Sequence, residues 1–131
     1  MPQFIQKRKE NFRLLFNGLK QYNEYFVLPK TTTNSDPSWF GFPILGKENA
    51  PFRRDEIVGY LEENRIAARM LFGGNLLKQP AYGGARYRLS DSIKNTELVM
   101  NDLIWIGVYP GLRPMMIEYI VSKFNKFLDK T

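Results

Sequence analysis

Residues 103–108, Leu-Ile-Trp-Ile-Gly-Val, form a strongly apolar run broken by Pro110-Gly111, and such a run suits a central strand. A central strand needs covering, and apolar stripes of helical period stand at both ends of the chain to cover it. Residues 4–26 place Phe12, Leu15, Phe16, Leu19, Tyr22 and Phe26 at spacings of three and four, which predicts one long amphipathic helix closed by Pro29. Residues 113–128 place Ile117, Ile120, Val121, Phe124 and Leu128 on one face. Pro114 stands near the first turn of that helix, where a missing N–H is tolerated.

Between these helices the signals are shorter. The polar run 31–37 reads as a loop of turn formers. Residues 39–45 read as a strand, and Pro43 removes a ladder donor, which predicts a sheet edge or a bulge. Trp39 and Phe40 are neighbours in that strand, so one of them faces away from the core. Trp105 is expected inside the core. Residues 53–64 predict a helix with Ile57, Val58 and Leu61 inward and Asp55 and Glu56 near the positive end of its dipole. A strand over 66–72 ends at Gly73-Gly74, residues 79–94 should be mostly irregular, and Asn95 or Thr96 can cap a short helix through Asn101. The expected fold is α+β: a small three-stranded, mainly antiparallel sheet packed against two long terminal helices and a shorter middle helix. At 131 residues the chain has the size of a single domain, 1–131.

The chemistry is one-sided. The segment 66–82 crowds Arg69, the Gly73-Gly74 pair, Asn75 and Tyr82 together, a pattern that looks built to meet a ligand. Yet the chain has no His and no Cys, which removes the usual neutral-pH proton shuttle, thiolate nucleophiles and N/S metal cages. Walker, dinucleotide-binding and nucleophile-elbow motifs are all absent. Asp55-Glu56 and Glu62-Glu63 are sequential pairs whose members point to different faces, so a solvated helix surface is their simplest reading. We expect no catalytic and no metal-ligating residue, hence half of an active site. The net charge of +6 favours anionic partners, but the basic residues are dispersed and lack the long run of a nucleic-acid-binding tail. No apolar run reaches membrane-spanning length and no signal peptide opens the chain, which leads us to expect a cytoplasmic protein without a membrane partner.

Several motifs carry a more specific resemblance. Ser35-Asp36-Pro37-Ser38-Trp39-Phe40-Gly41-Phe42-Pro43-Ile44, Ala50-Pro51-Phe52-Arg53, Leu61-Glu62-Glu63-Asn64, Arg69-x-Leu71-Phe72-Gly73-Gly74-Asn75-Leu76, Gln79-Pro80-Ala81-Tyr82 and Trp105-Ile106-Gly107-Val108-Tyr109-Pro110-Gly111-Leu112 stand in order along nearly the whole chain. Together they resemble the C-terminal part of the CDP-4-keto-6-deoxyglucose 3-dehydratases. That family is a branch of the pyridoxal-phosphate-dependent sugar aminotransferases with the aspartate aminotransferase fold.

The resemblance implies a division of labour. A large N-terminal domain, outside this chain, binds the pyridoxal or pyridoxamine phosphate (PLP/PMP), and a His there replaces the Schiff-base Lys. The smaller C-terminal domain closes over the nucleotide sugar, in a deoxysugar and lipopolysaccharide O-antigen pathway. No cofactor is expected in this chain alone. The resemblance places Arg69 on the substrate-side strand, where its planar fork suits sugar hydroxyls or a diphosphate. Asn75 hydrogen-bonds the hexose, touches the cofactor region, or simply caps a helix. Phe72 and Tyr82 could wall the sugar or cytosine or simply pack, and Gln79 is a weaker substrate contact. The outward aromatic of the Trp39-Phe40 pair predicts contact with the large domain, or self-association when this piece stands alone. Two other readings stay open: the C-terminal domain of a nucleotide-sugar aminotransferase, and an independent basic nucleic-acid-binding module. A Lys at the Schiff-base position of the parent would mark transamination, and a His dehydration.

Overall fold

Strand β4 (Leu103–Gly107) becomes the centre of the sheet because its alternate side chains meet different surroundings. Ile104 and Ile106 are buried, with Val108 just beyond the strand, whereas Trp105 between them is only partly buried. Strand β2 (Gly41–Gly46) pairs antiparallel with β4, setting Phe42 opposite Ile106 and Ile44 opposite Ile104. Four large apolar side chains thus meet on one face. Strand β3 (Ala68–Arg69) lies along the other side of β4, and β1 (Phe26–Val27) along β2. The computed structural model describes residues 1–130, and among them the sheet has four strands in the order β1-β2-β4-β3, all antiparallel.

The fourth strand, β1, corrects the three-stranded expectation. Phe26 completes a helical spacing in sequence, but helix α1 (Pro2–Leu19) stops seven residues earlier and a short 3₁₀ turn, Lys20–Tyr22, redirects the chain. The strand with Pro43 is also inside the sheet rather than at its edge. Its proline is tolerated for a local reason. The Phe40 carbonyl accepts from Val108 N–H at 2.8 Å and Lys47 N–H donates to the Tyr25 carbonyl at 2.8 Å, so odd-numbered residues of β2 turn their polar groups toward β1. Strand β1 pairs only Leu45 and Gly46, and the nitrogen of Pro43 falls beyond its reach.

Helices α1, α2 (Arg54–Glu63) and α4 (Pro114–Leu128) contribute to one core with the sheet. Leu15, Leu19, Ile57, Leu61, Ile117 and Phe124 are the buried faces of those stripes, each side chain contributing about 1.5–3 kcal/mol of transfer free energy. Helices α1 and α4 approach closely at Gly18, where a Cβ would stand 2.4 Å from Val121 Cγ2. Asn11, fully buried on α1, donates through Nδ2 to the carbonyls of Tyr109 at 2.9 Å and Leu112 at 3.3 Å, tying the helix to the turn after β4. Helix α2 is capped as its acidic first turn predicts, with Arg53 N–H donating to Glu56 Oε2 at 2.6 Å. Helix α3 (Lys94–Asp102) starts earlier than expected, so Asn95 and Thr96 lie within its first turn and cap nothing. Among the described residues no helix is long and apolar enough to cross a membrane.

Candidate functional site

The face of the sheet turned away from α1 and α4 is where candidate site residues gather. Pro43, Trp105 and Arg69 stand opposite one another across β2, β4 and β3. The Arg69 guanidinium lies over the Trp105 ring, 5.9 Å from its centroid, and Phe40 meets the same ring edge-on at 5.4 Å and 79°. Gly41 makes room for this arrangement, since a Cβ there would come within 2.5 Å of Trp105 Cε3. Trp39 turns the other way and stacks on Phe12 at 5.2 Å and 11°. The two neighbouring aromatics therefore do face opposite sides, and Phe40 is the exposed one at 61%. Trp105, expected in the core, instead forms the floor of this open face. Sequence reading missed it because only the register, Trp105 opposite both Pro43 and Arg69, reveals which side it faces.

Beyond Arg69 the chain leaves the sheet, which shortens the expected strand to two residues. Trp105 Nε1 donates to the Met70 carbonyl at 3.3 Å, and Phe72 N–H donates to the same carbonyl at 2.9 Å. In the tight turn that follows, closed by Gly74 N–H donating to the Leu71 carbonyl at 3.2 Å, Phe72 sits at φ +46°, with Gly74 at φ +61°. A bulky residue in this left-handed region costs about 1–3 kcal/mol. Its ring is 79% exposed. Arg69 and Phe72 line a single groove of about 540 Å³ between β3 and α2, together with Arg54, Asp55, Val58 and Glu62. Arg54 is already engaged, donating to the Met100 carbonyl at 2.5 Å and pairing with Asp55 at 3.2 Å. Among the described residues Arg69 forms no ion pair, which leaves its charge open to an anion.

The other predicted contacts part company. Asn75 is buried, and its Oδ1 accepts from Leu77 N–H at 3.0 Å, so it caps the 3₁₀ turn Leu76–Lys78, and its N–H points to Met100 Sδ at 3.3 Å. Gln79 is spent on the loop, its Nε2 donating to the Gly73 carbonyl. Tyr82 closes a second 3₁₀ turn, Pro80–Tyr82, and opens a fully exposed stretch, residues 81–92, that also carries Arg86, Tyr87 and Arg88. Among the described residues no cluster of acidic side chains could hold a metal ion.

Comparison with known proteins fits this geometry into a lineage. Residues 1–125 match the DegT/DnrJ/EryC1/StrS aminotransferase family. The chain is 46% identical over 127 residues to the lipopolysaccharide biosynthesis protein RfbH of Salmonella typhimurium, covering 97% of this chain and 29% of that one. It is 41% identical over 128 residues to the dTDP-4-dehydro-2,6-dideoxy-D-glucose 3-dehydratase of Saccharopolyspora spinosa, covering 98% and 28%. Among solved structures it resembles a GDP-4-keto-6-deoxymannose-3-dehydratase with a trapped PLP-glutamate geminal diamine, with a TM-score of 0.83, 23% identity, and coverage of 94% of this chain and 31% of that one. An aminotransferase from Psychrobacter cryohalolentis gives a TM-score of 0.87 at 14% identity, over 99% and 35% of the two chains. The chain thus spans under a third of the length of the curated relatives it matches. With the match running through nearly every element described above, this chain belongs to the DegT/DnrJ/EryC1/StrS aminotransferase family.

Proposed function

We propose that this chain is the substrate-side, C-terminal part of a PMP-dependent nucleotide-sugar 3-dehydratase acting on CDP-4-keto-6-deoxyglucose in deoxysugar and O-antigen biosynthesis. The observation that carries the reading is Arg69, a cation without an ion pair among the described residues, laid over Trp105 and sharing one groove with the exposed ring of Phe72. A planar cation suits a diphosphate and an aromatic ring suits a base or sugar face, so the pair fits one side of a nucleotide sugar. Names of the relatives support the class: two are nucleotide-sugar 3-dehydratases, one using a dTDP-sugar and one, from Yersinia pseudotuberculosis, a GDP-sugar.

The groove does not fit pyridoxamine phosphate by itself. Its lining sets Arg69 in one groove with the carboxylates of Asp55 and Glu62 and with the apolar Val58 and Phe72, whereas a cofactor phosphate and ring need further cationic and aromatic groups from a second side. In the parent enzyme that cofactor would supply the electron sink, and Arg69 and Phe72 of this chain would bind and orient the substrate. The large PLP-binding domain would cover the open face, and the exposed aromatics would otherwise drive self-association. The isolated chain should bind CDP, lose about tenfold or more in affinity on Arg69→Ala by calorimetry, and turn over no CDP-4-keto-6-deoxyglucose. Measurable dehydration by this chain alone, or CDP binding indifferent to Arg69, would overturn the reading.

The family description and the Psychrobacter fold relative favour a second reading, a nucleotide-sugar aminotransferase domain with the same binding role. A Lys rather than a His at the Schiff-base position of the parent would decide for it.

A further inference from the structure

A strained residue persists only where its surroundings over-determine it. Phe72 is such a residue, and its own ring supplies little of the hold because it is largely in solvent. The hold lies in the backbone of the turn: Phe72 N–H to the Met70 carbonyl, Gly74 N–H to the Leu71 carbonyl at 3.2 Å, and one side chain, Gln79, donating to the Gly73 carbonyl from six residues away. Gln79 is itself fixed from behind. Its N–H donates to the Leu76 carbonyl at 3.1 Å, and its carbonyl accepts from Tyr82 N–H at 2.9 Å. Pro80 confines its backbone to the extended region, observed at ψ 134°.

We infer that Gln79 is a positioning residue, whose carboxamide latches the 70–74 turn so that the Phe72 ring stands at the groove's lip as a stacking platform for the base of a nucleoside diphosphate. The phosphates of that ligand meet Arg69. The ligand part rests on the nucleotide-sugar reading above, whereas the latch rests on the turn alone.

Two readouts on the full chain separate them. In isotope-labelled protein without ligand, the amide–Hα coupling and the Cα and Cβ shifts of Phe72 report its positive φ. Gln79→Ala should move them toward ordinary negative φ and speed exchange of the Gly74 amide by about tenfold. Gln79→Glu, similar in size but unable to donate, should behave alike. With CDP as probe, Gln79→Ala and Phe72→Ala should each weaken binding about tenfold, and the double variant should be no weaker than Phe72→Ala, because Gln79 acts through the ring. Additive losses would make Gln79 a direct ligand contact and overturn the inference, as would an unmoved Phe72 backbone in Gln79→Ala. Should the wild-type chain take up no CDP, the nucleotide reading fails, and the Phe72 signals still decide the latch.

Discussion

The two faces of the sheet obey different rules. On the side of α1, α2 and α4, Phe42, Ile44, Ile104 and Ile106 are sealed, and the rings of Phe12, Phe26, Phe52 and Phe124 interlock around them. On the opposite side, Phe40 and Phe72 stand in solvent, Arg69 forms no ion pair among the described residues, and a bulky residue occupies a backbone region that glycine prefers. The first face satisfies its own needs. The second leaves exposed the groups that the proposed reading assigns to a nucleotide sugar and to a covering domain.

The sharpest way to break this contrast is a matched pair of truncations. Phe124→Ala should cost about 3–5 kcal/mol in urea unfolding, whereas Phe40→Ala should cost under about 1 kcal/mol and lower self-association by light scattering. Equal losses at the two sites would mean that the open face is as structural as the closed one. A smaller effect is expected from Gly41→Ala, whose new methyl drives into the Trp105 ring. A loss of about 1–3 kcal/mol with a shift in Trp105 emission is the expected outcome, and an unchanged spectrum would deny the close packing of that ring. The smallest effect belongs to alkaline pH. Tyr22 donates to Asn125 Oδ1 at 3.0 Å, and burial first, then the nearby Asp129, raise its phenol pKa above the ordinary value. A raised pKa favours the protonated form in the fold, so its contribution is full below pH of about 10 and fades as pH climbs through the folded value. Tyr22→Phe should therefore lower stability by about 0.5–1.5 kcal/mol near neutrality, and the gap to the unsubstituted chain should close as pH climbs above that value; a gap that persists unchanged there would count against this origin.

What could be read beforehand divides along the same line. Helices α2 and α4 and strand β4 were legible because their burial is local and periodic: Ile57 and Leu61, or Ile117, Ile120 and Phe124, report their own faces. Strand β1 was not, since Phe26 continues a helical spacing and only its pairing with Gly46 makes it a strand. Arg69 and Phe72 were legible as candidates and do share a groove, while Asn75 and Gln79 turned inward to hold the loop. Amides serve ligands and backbone with the same atoms, and spacing alone does not distinguish the two. Trp105 went unread because strand register is a tertiary fact.

The fork from Asn11 has a consequence during synthesis. Its farther acceptor, Leu112, lies 101 residues downstream. At roughly 5–20 residues per second the first helix leaves the ribosome about 5–20 s before that acceptor is made. Throughout this wait Leu15 and Leu19 have no α4 to shelter them, so this helix offers a bare apolar stripe that a chaperone should cover until α4 is made.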